Sequence, residues 1–417
     1  AYLSASATAE ASRSEHNSIQ AHSVTFTMDS PCEFLRILVP GRLAYLSASA
    51  TQTESVKSAM QGQNFFFFSS DLHTRYFPLG FDFGPVNLGI VHKFCCALAS
   101  KMAKEDGRIW TYCFQETFEA RANACFLLGA FMVLHYGKTP QEASAIFTDR
   151  DAPFVLRPFR DCTKSYQSFF LSLEDCLAGL YRATQLSWYN IKTFNAESYS
   201  MLDKPHSGEV HEICPKFVAF KGPLAHFHPF LCPDEVAYAP EFYAPTLEQL
   251  GVTCVIRLNE PDTYDKSAFE EFGMSHHDLY FDDCSCPPDH VIRQFLDICE
   301  GHARVGVHCR AGLGRTGTMI ALWMMKHQGF SAAEAIAWLR IVRPGCVMGD
   351  QQQFLKACES RAWSGNTLLP APPSARPSRP SSLSEAGTQT GSATCLLAEL
   401  DHATAAAAAV AQLLGPA

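Results

Sequence analysis

Apolar residues are dense from about Pro31 to Trp363 and sparse on either side, so the hydrophobic pattern divides the chain into three stretches. Residues 1–28 are mostly small and polar, and residues 363–417 include LLPAPPSARPSRPSSLSEAGTQTGSAT. Neither segment can bury enough apolar surface to offset its ordering entropy, and both are expected to be disordered. The Ala-rich stretch Leu396–Leu414 could form a frayed or partner-dependent helix. Within the dense region, Val252–Leu258 is a β-branched run that predicts a buried strand. Ile292, Phe295, Leu296 and Cys299 share one helical face in a helix from about Pro288. A short strand Arg304–His308 is followed by a glycine-rich loop and a helix over Thr316–Gln328, which Gly329 ends. Ser331 and Glu334 form a capping box that opens another helix. Strands alternating with helices predict an α/β fold.

The N-terminal half carries a similar pattern. Arg108–Phe114 predicts a strand, a short loop leads to Arg121-Ala122-Asn123, and Ala124–Leu134 predicts an apolar helix. Thr139 and Glu142 form a second capping box. The octapeptide AYLSASAT stands at Ala1–Thr8 and again at Ala44–Thr51, a duplicated or mis-joined exon rather than the signature of a solenoid.

Length and composition narrow the function classes. At 417 residues, two or three domains are expected. A net charge of −9 argues against bulk binding of nucleic acid. The longest uninterrupted apolar run, Ala124–Leu134, falls short of the ~18 residues that suggest a membrane span. The 17 cysteines include no C-x2-C pair, so no metal ribbon is predicted, and reduced thiols in the cytosol or nucleus are the economical expectation. The chain begins with Ala1 rather than Met, which leaves open a segment upstream.

The chemistry concentrates in His308-Cys309-Arg310-Ala311-Gly312-Leu313-Gly314-Arg315-Thr316-Gly317. A strand ending at a cysteine, with a helix starting just beyond it, can wrap the intervening amides of residues 310–315 around a tetrahedral anion. The same amides favour the thiolate of Cys309, and Arg315 adds a planar fork for two phosphoryl oxygens. The spacing alone is weak: Cys176 and Arg182 repeat it inside a helical stripe, where Cys176 is expected in the core. Gly312, Gly314 and Gly317 also match a dinucleotide fingerprint, but Glu334, at the right distance for the acidic partner, falls in a helix. Expelling an alkoxide needs a proton donor, and Asp282 or Asp283, on the loop after His277–Phe281, supplies one.

The stretch from His308 to Leu355 resembles the cell-division-cycle-fourteen family of dual-specificity protein phosphatases. So do the upstream segments GVTCVIRLNE, HHDLYFDD, FDFGPVNLG, KTPQEA, PFRD and KFVAFKGP. The resemblance implies two tandem phosphatase-like α/β domains joined by a linker helix. The degenerate first domain would span residues 29–196, the linker 197–212 and the catalytic domain 213–362. It implies Cys309 as nucleophile, Arg315 as phosphate clamp and Asp283 as general acid, with His308 and Thr316 in support. Gln351 and Gln352 would position water. In the first domain Gln115 stands six residues before Arg121, where a nucleophilic cysteine would be needed. The family pattern also implies substrates with phosphoserine followed by proline, and a groove in which Glu197, Asp203, Glu209 and Glu212 receive a basic substrate residue. Cys284 and Cys286 replace Gly and Thr types of that pattern, and Asp282 an apolar one. No cofactor, metal, membrane or nucleic-acid partner is implied. The family suggests the nucleus and cytoplasm, with nucleolus, spindle pole or ciliary base as sites. The rival readings are a catalytically silent phosphopeptide-binding scaffold and an inositol-lipid phosphatase. The latter is disfavoured because Arg310 is the only basic loop residue besides Arg315.

Overall fold

The computed structural model describes residues 35–47, 49–62, 64–69, 74–104, 109–114, 117–149, 155–164, 167–225 and 238–371. Residues 1–28, Gln115 and the tail beyond residue 371 lie outside the described residues, and so do the expectations placed on them. The first unit contains β1 (Leu35–Val39), β2 (Leu43–Ser47), α1 (Ala50–Ala59), β3 (Phe65–Phe68), α2 (Leu88–Lys104) and β4 (Ile109–Phe114). It continues through α3 (Phe118–Tyr136), α4 (Pro140–Thr148) and α5 (Leu173–Gln185). Its sheet runs β1-β2-β4-β3, parallel except for the β1–β2 hairpin at one edge. The second copy of the repeated octapeptide supplies much of β2, where Ala44, Tyr45 and Leu46 are fully buried.

A linker helix, α6 (Ala196–Leu202), leads to the second unit. That unit comprises β5 (His211–Cys214), β6 (Phe217–Ala219), α7 (Pro240–Gln249), β7 (Cys254–Arg257), α8 (Ser267–Glu270), β8 (Ser275–Asp278) and α9 (Asp289–Glu300). It ends with β9 (Val305–His308), α10 (Gly314–Gln328), α11 (Ala332–Val342), α12 (Asp350–Cys358), β10 (Trp363–Ser364) and β11 (Thr367–Leu368). The second sheet repeats the plan of the first: an antiparallel edge pair followed by parallel strands, in the order β5-β6-β9-β7-β8. In each unit a strand of the parallel part enters a long apolar helix, and a capping box opens the next one (Thr139–Glu142 and Ser331–Glu334).

The two units share one core. A single apolar cluster runs from Leu38 through α3, α5, α10 and α11 to Leu368. Helices α5 and α11 approach so closely that a side-chain carbon at Gly179 would lie 2.7 Å from the Glu334 carbonyl oxygen. Tyr199 Oη of the linker helix donates to the Val342 carbonyl at 2.7 Å, and Trp338 Nε1 to that of Ile213 at 2.9 Å. Cys176 is fully buried in this contact layer, as its helical stripe predicted.

Four boundaries differ from expectation. Helix α3 begins at Phe118, so Arg121–Asn123 are helical; Thr117 caps the helix by accepting from the Ala120 amide. Asn123 then holds the 83–86 loop, donating to the Phe83 carbonyl and accepting from the Val86 amide. Helix α10 begins at Gly314, which places Arg315 within the helix. His211 and Glu212, assigned to the linker, belong to β5. Residues 363–368 form a hairpin rather than the start of a disordered tail: Leu368 is buried, and Arg361 clamps the Leu368 and Leu369 carbonyls while pairing with Asp289 at 2.7 Å.

Candidate active site

Cys309 leaves the C-terminal end of β9, a fully buried strand flanked by β6 and β7, and is itself buried. The carbonyls of the next turn are all held from outside. His308 Nδ1 lies 3.1 Å from the Cys309 oxygen, and the Gly222 amide donates to Arg310 at 2.9 Å. Arg343 donates to Ala311 at 2.8 Å and to Gly312 at 2.7 Å. Across a planar trans peptide the next N–H points opposite to the C=O. Four carbonyls turned outward therefore aim the amides of residues 310–313 at the centre of the loop, and the α10 N-terminus adds its dipole.

Glycine is required at two positions around this turn. A Cβ at Gly312, where φ is +68°, would sit 2.1 Å from the Phe220 carbonyl oxygen. At Gly222 it would sit 2.0 Å from that of Cys309.

Arg315 is buried beneath the loop mouth. Its Nη1 donates to the Phe281 carbonyl at 3.0 Å, which fixes the guanidinium plane. Its Nε lies 3.1 Å from Asp283 Oδ1, an ion pair without hydrogen-bond alignment. The structure separates the two candidate acids: Asp283 is exposed over the loop beside Arg315, whereas Asp282 accepts from Tyr280 Oη at 2.8 Å. Thr316 Oγ1 is buried with no protein hydrogen-bond partner among the described residues. The glutamines also separate. Gln351 Nε2 donates to the Ser285 carbonyl at 3.0 Å while its Oε1, buried without a partner among the described residues, lies against Gly314. Gln352 is tied to Asp161 at 3.0 Å and Arg340 at 2.5 Å, so its amide braces the start of α12 against the first unit rather than facing the loop.

The residues of the acidic segment differ in their surroundings. Glu197 is exposed on α6, and Glu209 is half-buried with its carbonyl accepting from Arg343. The Asp203 carboxylate has two partners within the fold. Its Oδ1 lies 2.8 Å from Nε2 of the buried His211, and its Oδ2 accepts from Asn87 at 3.3 Å. Glu212 pairs with Arg304. His211 Nδ1 in turn accepts from Arg343 at 2.7 Å, so a polar chain runs from α6 to the Cys309 loop. Burial is the main influence holding the His211 pKa down, which suits a ring accepting from Arg343.

A second buried chain runs from the other side: His276 Nε2, Tyr264 Oη and His308 Nε2 are linked at 2.8 and 2.6 Å. With His308 Nδ1–H directed at the Cys309 carbonyl, His308 Nε2 must accept from Tyr264, and Tyr264 from His276. Sequence reasoning missed Arg343, Gly222, Tyr264 and His276; the Pro-Gly after Arg343 signalled only a helix end. Burial, the largest cause, pushes His308 down to about 3 and His276 down to about 4. Such a ring protonates less readily folded than unfolded. Its stabilising contribution is therefore present above the unfolded value near 6.5 and is lost as pH falls from there towards 3. For His308 alone the loss by pH 5 is about 2 kcal/mol. The melting temperature should fall over this range, and His308→Asn should flatten the slope; an unchanged slope would contradict the neutral buried ring.

Family comparison divides the chain as the fold does. The N-terminal half of dual specificity protein phosphatases matches residues 37–183, and the dual specificity phosphatase catalytic domain matches residues 237–360. Dual specificity protein phosphatase CDC14C of Homo sapiens is 39% identical over 307 residues, 72% of this chain and 67% of that protein. CDC14B of Mus musculus is 40% identical over 71% of this chain and 61% of its own length. CDC14A of Mus musculus is 37% identical over 85% of this chain and 57% of its own length. The chain thus spans between about half and two-thirds of these relatives. Among solved structures, the active form of Tk-PTP is similar with a TM-score of 0.29 and 24% identity, over 37% of this chain and 97% of that one.

Proposed function

The chain belongs to the CDC14 family of dual-specificity protein phosphatases, and from that premise we propose that it hydrolyses phosphate esters on proteins through the thiolate of Cys309. Its preferred substrates are phosphoserine residues followed by proline, on proteins of the cell-division machinery. The observation that carries the reading is the ring of outward-held carbonyls around Cys309, with Arg315 and Asp283 at its mouth.

The phosphoryl group sits in the amide cradle, two of its oxygens on Arg315. Cys309 Sγ attacks phosphorus in line, the bond to the ester oxygen breaks, and Asp283 delivers its proton to that oxygen. Substrate phosphate takes over Arg315 Nε from Asp283, which leaves the carboxyl above the departing group. Water then attacks the phosphocysteine, the P–S bond breaks, and Asp283 recovers a proton. Gln351, with its unpartnered Oε1, orients that water, and Thr316 Oγ1 donates to the departing thiolate. Cys309, Arg315 and Asp283 all being present counts against a silent scaffold.

The test uses matched phosphopeptides that differ in phospho-residue and in the following proline, with three enzymes. The wild type should favour phosphoserine-proline. Asp283→Asn should slow phosphoserine cleavage by about 10²–10³-fold, and an activated aryl phosphate far less, because its leaving group needs little protonation. Asp282→Asn should stay near wild type. A defect that follows Asp282 would move the acid by one residue, and equal rates with and without proline would remove the proposed selectivity.

A further inference from the structure

We propose that Cys254, His277 and His302 form a binding site for a borderline transition-metal ion, zinc by the chemistry of its donors, at the end of the catalytic sheet opposite Cys309. Cys254 opens β7, His277 lies on β8, and His302 lies between α9 and β9. Cys254 is in register with Ser275, and side chains two apart on a strand share a face, so the Cys254 and His277 side chains project from one side of the sheet. Helix α9 packs there through Phe295 and Cys299, and its C-terminal end delivers His302 to the same place. One ligating atom of each residue lies within 4.8 Å of the others, the one such group of three found among the described residues.

A thiolate and two imidazoles are the donors zinc prefers, at bond lengths of about 2.0–2.3 Å. Tetrahedral binding would draw these atoms to about 3.3–3.7 Å from one another, a closure on the order of an ångström. His302 is free to make it, because long contacts hold its ring: Thr253 Oγ1 at 3.5 Å from Nδ1 and Ser275 Oγ at 3.4 Å from Nε2. Whichever nitrogen binds the metal, the other keeps a hydroxyl acceptor, the outer support that ligating histidines usually have. Cys254 is fully buried, so its thiolate needs an adjacent cation. Lys216, which donates to the His302 carbonyl, is the nearby opposing charge.

Beside His277 a cleft of about 310 Å³ opens to solvent, with Asp278 and Asp297 on its walls. Asp278 is paired with Arg257 at 2.6 Å and Asp297 accepts from Asn366 at 2.7 Å, so they supply negative field at the entry rather than ligands. Three protein donors leave the fourth position to water, which makes this an exchangeable site rather than a closed folding centre. It would clamp β7, β8 and the turn before β9 from the far end of the strands, without touching the phosphate loop.

The experiment uses the full chain carrying Cys309→Ser, which removes the nucleophile thiolate as a competing ligand. This keeps the result independent of the proposed reaction. Titration with Co²⁺ should give one equivalent of tetrahedral visible bands and a near-ultraviolet thiolate-to-cobalt band, both abolished by Zn²⁺. His302→Gln and His277→Gln, at half-buried positions where folding should survive, should each weaken binding at least about tenfold and remove those bands. Zn²⁺ should raise the melting temperature of the parent but not of the histidine variants. No thiolate band in the parent, or full-strength bands and equal affinity in both histidine variants, would overturn the site.

Discussion

Replacing Cys309 by Ser should lower hydrolysis of a phosphoserine peptide by on the order of 10⁵-fold while its Kd stays near that of the wild type. The asymmetry follows from what holds the phosphate. The cradle is main chain, and its four outward carbonyls are secured by His308, Gly222 and Arg343 rather than by the Cys309 sulfur. A serine at this position keeps that geometry but offers a hydroxyl that the amides cannot deprotonate at neutral pH, whereas a thiol yields its proton far more readily. Isothermal titration with the peptide and a single-turnover assay separate the two quantities. Loss of binding together with rate would mean that the sulfur itself organises the loop.

Arg315→Lys should lose about 10³-fold or more in kcat/KM and should weaken binding as well. Lysine keeps the charge but not the fork, so it can serve only one phosphoryl oxygen at a time. It also leaves the Phe281 carbonyl, which Arg315 holds at 3.0 Å, without its present donor. The loop that carries Asp283 should then loosen, and a buried acceptor left unpaired costs about 1–3 kcal/mol of stability. A thermal melt beside the kinetics distinguishes these effects. Near-normal kcat/KM in a folded Lys variant would show that charge alone suffices.

What the sequence disclosed was local. Cys309, Arg315 and the glycines between them occupy one strand-loop-helix unit, and both capping boxes join residues three positions apart, so chain order alone brings their partners together. The two tandem units were legible because each repeats a strand, an apolar helix and a capped helix. What escaped depends on distant partners. Arg343 reaches Gly312 across 31 residues, and nothing in the residues around it distinguishes it from any arginine at a helix end. Asp203 sits in a polar segment that looks like a groove wall, yet Asn87, 116 residues away, and the buried His211 claim its carboxylate. Gln352 differs from Gln351 only by the 100° turn between helical neighbours, which sends it to Asp161 of the first unit. Asp282 and Asp283 could be told apart only by the company of Tyr280 and Arg315. The 363–368 hairpin has strands of two residues each, too short for any alternation to register.

The central claim is a covalent cysteine intermediate, and the most direct measurement is to trap it. A phosphoserine-proline peptide labelled on phosphorus should be mixed with the full chain, quenched in acid within the first turnover, and digested for mass spectrometry. Label on the peptide that contains Cys309, absent from the Cys309→Ser chain and enhanced by Gln351→Ala, which slows hydrolysis of the intermediate, is the predicted result. Rapid turnover with no label on Cys309 in either the wild-type or the Gln351→Ala chain would contradict it.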